Sequence, residues 1–345
     1  MDRNLKSLTR LFCILLLVLK LIESSLHGQL NKFQKTDFNT AAKKGEFIFY
    51  ITKNYCPNAY EILIKTGQEN FIKWSEGRSH YLVLSSLATV VHESCHVVNF
   101  NASGFWSYGF FIAPGIEIKT DKTDVFRTSE IDKIIPDEQK DRIFRYSTYI
   151  SEKTGNEDIS SIKDGIYGLM DEFDAYYQST RALIESFEYY KTIAKNSDTY
   201  YWNLYISNCY STIYAYYEFR LFIAWYLKYA KEKYPKIYQD IINNKNLKVV
   251  FTFIDQNYEK VVDQYFTNRQ IIIETINKSG VEKVEIKGNY FYIKPVKEKG
   301  NATGYGIPDN EIKYLKSLFT ETDYRVLKAL TIENLNEKNY KDFLD

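Results

Sequence analysis

Residues 89–98 read Thr-Val-Val-His-Glu-Ser-Cys-His-Val-Val. The run holds no proline or glycine, and two histidines four apart share one face of it if it is helical. Both imidazoles can then reach one Zn2+ at about 2.0–2.1 Å. Glu93 lies about 100° round such a helix, beside the ion rather than on it. From there a carboxylate can take a proton from water and hand it to a leaving group. The chain contains only four histidines, His27, His80, His92 and His96, so a chance match to this spacing is rare. The plain alternative is a pair of surface histidines on an amphipathic helix.

Working outward, the pattern predicts a helix over about Ser79 to Asn99. Leu87, Val90, Val91, Val97 and Val98 make its core face, and the small Ser85, Ala88 and Thr89 lie beside the histidines. Before it, Glu46 to Thr52 (EFIFYIT) reads as a strand and Asn58 to Lys65 as the start of a helix. After it, residues 104–119 look extended, and 120–158 form a polar, helix-containing excursion over the surface. Helical spacing then dominates at roughly 160–194, 199–232 and 248–277, with Pro235 closing the second stretch. Glu218 and Arg220 interrupt the apolar run in 199–232, so it reads as a buried core helix and not a membrane span. A hairpin is expected from Val284 to Ile293, turning at Lys287-Gly288-Asn289, and short helices from Pro308 onward. The fold class is mainly α with a small β component, an α+β chain whose motif helix packs against a helical bundle. The expected division is 29–160, an N-terminal α+β part with the motif helix, and 161–345, a helical part with the hairpin near 284–293.

A catalytic zinc has three protein ligands and one open position. His80 lies twelve residues before His92, about 18 Å away along one helix, and cannot complete the site. A carboxylate is the expected third ligand, ahead of Cys, Tyr or water. Glu172 is the choice. On its helix Ile166, Leu169, Met170, Phe173 and Tyr177 form the main apolar stripe. A second stripe runs Gly168, Glu172, Ala175, Ser179 and Ala182, small at every place except Glu172. Pressed against the small residues beside the histidines, it would bring Glu172 to the metal, which relieves the cost of burying a lone carboxylate. The alternatives are a solvated Glu172, or Glu218 as the ligand. Glu218 has its own plain reading, a buried pair with Arg181 or Arg220. Asp171 falls on neither stripe and reads as solvated, whereas Asp174 is placed to orient a histidine through its ring N–H.

Taken together, His92, Glu93, His96 and Glu172 resemble the gluzincin branch of HExxH metallopeptidases, the thermolysin-like class. The resemblance implies a zincin-like motif helix, zinc as cofactor held by His92, His96 and Glu172, and Glu93 as general base. It also implies hydrolysis of peptide bonds in a peptide or protein substrate. One position departs from the family pattern: the Asp expected four residues after the ligand glutamate is Tyr176. The metzincin continuation is absent, since Asn99 and Ala102 stand where its glycine and third histidine would be. An oxyanion formed during hydrolysis needs a further donor, for which Tyr167, Tyr176 and Tyr177 are candidates among 31 tyrosines. Segment 104–113 would either pair with a peptide as an added strand or simply pack. Competing classes are a zinc amidase acting on cell-wall or other non-peptide amides, and a catalytically silent helical binding protein.

The rest of the composition narrows the setting. With 45% hydrophobic residues and 345 positions, the chain can bury a sizeable core. Arg3, Lys6 and Arg10 precede the apolar run Leu11 to Leu19, the pattern of a signal peptide over residues 1–28. Such a run is too short to span a bilayer. Secretion or delivery to a periplasm is expected, with an uncleaved N-terminal anchor as the alternative because Lys20 interrupts the segment. Removing residues 1–28, which carry four basic and two acidic side chains, takes the formal charge from +1 to −1. That balance gives no electrostatic reason to expect nucleic acid. Cys56, Cys95 and Cys209 would remain, too few and too odd for a disulfide framework, although a Cys56–Cys209 bridge is conceivable.

Overall fold

Thr40 starts the first long helix, α1 (Ala41–Tyr55), by accepting the Lys43 amide on its side chain. Phe47, Ile48, Ile51 and Thr52 are buried along it, a stripe of helical period. Residues 46–52 are therefore helical, not a strand. Their aromatic and β-branched content favours extended backbone only weakly, and the apolar spacing and its packing decide. Pro57 occupies the first position of α2 (Pro57–Thr66), where its missing N–H costs nothing. The helix expected from 79 to 99 is two: α3 (His80–Ser85), capped by Ser79, and α4 (Leu87–Ala102), which carries the motif. Ser86 separates them and turns its hydroxyl back onto the Val83 carbonyl.

The extended segment forms an antiparallel hairpin of β1 (Ser107–Ala113) and β2 (Ile116–Asp121). The polar stretch that follows is not a surface excursion. It sends Phe126, Ile131, Ile143, Arg145, Tyr149 and Ile150 into the interior. Five further helices are α5 (Gly165–Glu185), α6 (Phe187–Ile193), α7 (Thr199–Lys233), α8 (Pro235–Asn243) and α9 (Lys245–Ser279). Pro235 both ends α7 and opens α8. A second sheet joins β3 (Glu282–Lys287), β4 (Tyr290–Pro295) and β5 (Thr303–Gly306) in that order, and α10 (Asp309–Leu318) follows. The chain is thus mainly helical with two small antiparallel sheets, the class its periodicity implies.

The structure is a computed structural model that describes residues 32–151, 159–194, 199–296, 303–307, 309–319 and 335–344. The expected signal peptide over 1–28 lies outside the described residues. Among those described, no helix is long and apolar enough to cross a membrane.

Helix α5 is the centre of the fold: it packs against α4, α7 and α9, and most of its residues are buried. Its first residue, Gly165, has φ +54°, and a side chain there would run into the Phe126 carbonyl and the Tyr226 hydroxyl. Only glycine fits both constraints. Helix α7 is buried on nearly all sides because tyrosines supply both the apolar bulk and the polar tips. Tyr226, for example, accepts the Phe126 amide at 3.0 Å and donates to the Phe126 carbonyl at 2.9 Å. Cys56, Cys95 and Cys209 are all buried free thiols, so the conceivable Cys56–Cys209 bridge is not formed.

His80 is one of the polar groups in this core. It is 4% exposed, between the hydroxyls of Tyr189 at 2.6 Å and Tyr201 at 3.0 Å. Burial pushes its pKa down from 6.5 to about 4. As pH falls below 6.5 the unfolded chain takes up this proton first. The stability from burying the neutral ring is therefore complete above pH 6.5 and lost on the way to pH 4, about 3 kcal/mol in all. Urea unfolding at stepped pH should show this acid loss, and H80Q should remove that part of it.

Candidate metal centre

Helices α4 and α5 build the site between them. His92 and His96, one turn apart on α4, direct their Nε2 atoms to within 3.1 Å of each other. Glu172 on α5 brings Oε2 to 3.4 Å from His92 Nε2 and 3.6 Å from His96 Nε2. These three form a group able to hold a metal ion, and it is the one found among the described residues. Ligands about 2.0–2.2 Å from a tetrahedral ion stand roughly 3.3–3.6 Å apart from one another. Two sides of the observed triangle fall in that range and the third, between the histidines, is slightly shorter.

The donor chemistry also fits. His96 Nδ1 lies 2.7 Å from Asp171 Oδ2. A carboxylate there accepts the Nδ1 proton and leaves the Nε2 lone pair facing the triangle. Burial alone would lower the His96 pKa, but the Asp171 and Glu172 carboxylates outweigh it and hold it well above the ordinary value. Burial would likewise raise Glu172, and the two imidazoles reverse this and keep it well below the usual carboxylate range. His96 therefore holds a proton tightly in this place, and a metal ion would take over that positive charge among the three converging atoms. His92 Nδ1 is buried without a hydrogen-bond partner, so His92 is positioned by packing. Its ring centre sits 4.4 Å from that of Tyr176, and the Arg145 guanidinium carbon lies 4.3 Å from the Tyr176 ring centre.

Two acidic residues depart from their expected places. Asp171, expected in solvent, is the group that orients His96. Asp174, expected behind a histidine, touches neither. Its carboxylate accepts from Asn99 Nδ2 at 3.0 Å and from Gln178 Nε2 at 3.2 Å, and burial pushes it up to about 7. The face of α5 that meets α4 thus carries Asp171 and Asp174 together with Glu172 of the small-residue stripe. Gly168, on that stripe, receives the backbone of Ser160 and Ser161 instead. Asn99 was not expected at all. Its amide also donates to Asp171 Oδ1 at 2.8 Å while its carbonyl accepts the Phe111 amide at 2.7 Å. The available signal was its place on the histidine face, three residues past His96.

Glu218 is not at the site. It is fully buried and paired with Arg145, whose Nη1 is 2.7 Å from Oε2 and whose backbone amide is 2.9 Å from Oε1. The partners expected for it are engaged elsewhere, Arg181 with Glu185 and Arg220 with Asp255. Nor is His80, already accounted for in the core. Of the candidate phenols, Tyr167 binds the Asp121 carbonyl at 2.7 Å and Tyr177 accepts from Arg181 at 3.2 Å. Tyr149, which none of the spacing arguments singled out, donates to Glu172 Oε2 at 3.1 Å.

A cleft of about 1030 Å3 opens beside the triad, lined among others by His92, Glu93, His96, Phe100, Tyr149 and Glu172. Val97, expected in the core, lines it too. Glu93 is half-buried there, and its carboxylate has no hydrogen bond or ion pair among the described residues. Strand β1 does not offer an edge to a peptide. The Gly109 amide donates to Ser103 Oγ at 2.8 Å, and the Phe111 amide is held by Asn99. At Gly109 the strand runs so close to Ala102 that a Cβ would overlap it. The segment packs; it is not a free edge.

No family model matches this chain, and no curated protein or solved structure matches it either. The geometry separates the two glutamates by experiment. E172A is expected to lower the uptake of added Zn2+ by the purified chain, measured by elemental analysis, because it removes one of three donors able to hold an ion. E218Q is expected to keep the ion and lose about 3 kcal/mol in urea unfolding, because Arg145 is left buried without its charge partner.

Proposed function

We propose that this chain is a zinc-dependent metallopeptidase of gluzincin type, with His92, His96 and Glu172 holding the ion and Glu93 as general base. The observation that carries the reading is the triangle of donor atoms, 3.1, 3.4 and 3.6 Å on its sides, with Asp171 behind one corner. A zinc ion held there supplies Lewis acidity and makes water nucleophilic at neutral pH.

The protein's own residues do the rest. Asp171 keeps the His96 proton on Nδ1, and Asn99 keeps Asp171 in place. Glu93, on α4 with the histidines, faces the cleft with an unengaged carboxylate and takes the proton of the attacking water before passing it to the leaving nitrogen. Tyr149 brings a hydroxyl to the same place and is the donor we assign to the developing oxyanion. The size of the cleft, and its course from His92 to the loop at Gly104, favour an extended peptide over a small amide. The basic and then apolar start of the chain supports a site of action outside the cytosol.

Substitution E93Q tests the reading. Peptide hydrolysis should fall about 10²–10⁴-fold while zinc remains at one ion per chain. Loss of zinc in E93Q, or undiminished hydrolysis, would remove Glu93 from the role of base. For Tyr149, Y149F should lower kcat with little change in KM, since an oxyanion donor acts in the transition state.

A further inference from the structure

Between α4 and β1 the chain makes a two-residue turn whose tip is Phe105 and Trp106, 80% and 77% exposed. Phe100, on the last turn of α4, is 79% exposed. Turn tips favour Gly, Asn, Asp, Ser and Pro, and two large aromatic rings there have no local structural reason. The turn is well held. Gly104 and Ser107 exchange backbone hydrogen bonds at 3.0 and 3.4 Å, and the Lys122 amide donates to the Trp106 carbonyl at 2.9 Å. Ser103 Oγ fastens its base to the Asn99 carbonyl at 2.8 Å. The Phe105 and Trp106 rings meet edge to face, 4.6 Å between centres.

The size and shape of this patch select its partner. Aromatic side chains carry about 150–250 Å² each, so three at this exposure present roughly 400–500 Å². That is in the range of patches that mark interaction sites. It is well short of the roughly 800 Å² per partner that a stable protein interface buries. The rings project from the surface, so they suit a medium they can enter. Trp and Phe on a short projection fit the headgroup boundary of a bilayer, where apolar groups insert about 5–10 Å. Lys122 holds the base of the tip through its backbone amide, and its ammonium lies over the Tyr108 ring, 4.6 Å from the centre.

We propose that Phe100, Phe105 and Trp106 form a lipid-contact site that seats the mouth of the cleft on a membrane surface. Phe100 and Phe105 line the cleft that holds the metal triad, so the bilayer surface adjoins the place of reaction. The inference does not depend on the identity of the metal or on hydrolysis.

Tryptophan emission tests it on the full chain. Trp106 is the exposed tryptophan; Trp202 is buried, and Trp74 and Trp225 pack against the core. Residues 1–31 contain no tryptophan, so binding through that segment does not mimic the signal. With phosphatidylcholine vesicles brominated near the headgroup, the emission should shift to the blue and be quenched. W106F should abolish both changes, and F100S/F105S, which keeps the reporter, should cut the quenching at least about threefold. Three results would overturn the proposal: no quenching of Trp106 when the chain sediments with vesicles, no binding to vesicles at all, or quenching undiminished in F100S/F105S. A dimer in sedimentation that F100S/F105S dissolves, with no lipid quenching, would assign the patch to a second copy of the chain instead.

Discussion

The arrangement rests on a polar seam between two buried helices. Asn99 and Cys95 of α4 meet Asp171 and Asp174 of α5 where an apolar stripe would ordinarily lie, and Gln178 of α5 donates to Asp174. Buried polar groups must find partners, and a shift of either helix by one residue would leave several of these without one. The seam therefore sets the register of α5 against α4. That register places Glu172 opposite the two histidines. Asn99 has the widest reach of the group, joining Asp171, Asp174 and the Phe111 amide of β1.

Beneath the triad a second set of contacts works by shape and charge. Glu218 holds Arg145, the Arg145 guanidinium lies over Tyr176, and Tyr176 packs on His92. His96 is thus fixed by a directional hydrogen bond and His92 by stacking. A pair held in these two ways keeps its Nε2 atoms convergent without matching acids behind both rings. Tyr176 stands where the gluzincin pattern has an aspartate. In this chain that position supplies an aromatic surface, and the orienting acid is Asp171.

Much of this was legible in the residues. The helix bearing His92, Glu93 and His96, the helical bundle, a hairpin over 284–293, observed at 282–295, and the approach of Glu172 all follow from spacing. Other features are set by contacts distant in sequence and escape any local pattern. The strand expected at 46–52 is a helix because its apolar side chains find partners at helical spacing. Arg145 and Tyr149 sit in a stretch whose charge suggested solvent, and only the buried Glu218 and the Glu172 carboxylate explain their burial. The parts played by Asp171 and Asp174 were missed for a related reason: small residues mark where helices can approach, but the polar partners of these two carboxylates lie far off in sequence, on α4.

The three thiols described in the fold have a practical meaning beyond packing. Cys56 Sγ lies against the Ala182 carbonyl, Cys95 beside Asp174 in the seam, and Cys209 in α7. Burial pushes all three pKa values up, so each stays protonated and inert while folded. An alkylating reagent can reach them only when the local structure opens. The described residues thus carry three built-in clocks, one at the N-terminal helices, one in the motif helix and one in the central bundle, whose rates report separately how often each part breathes.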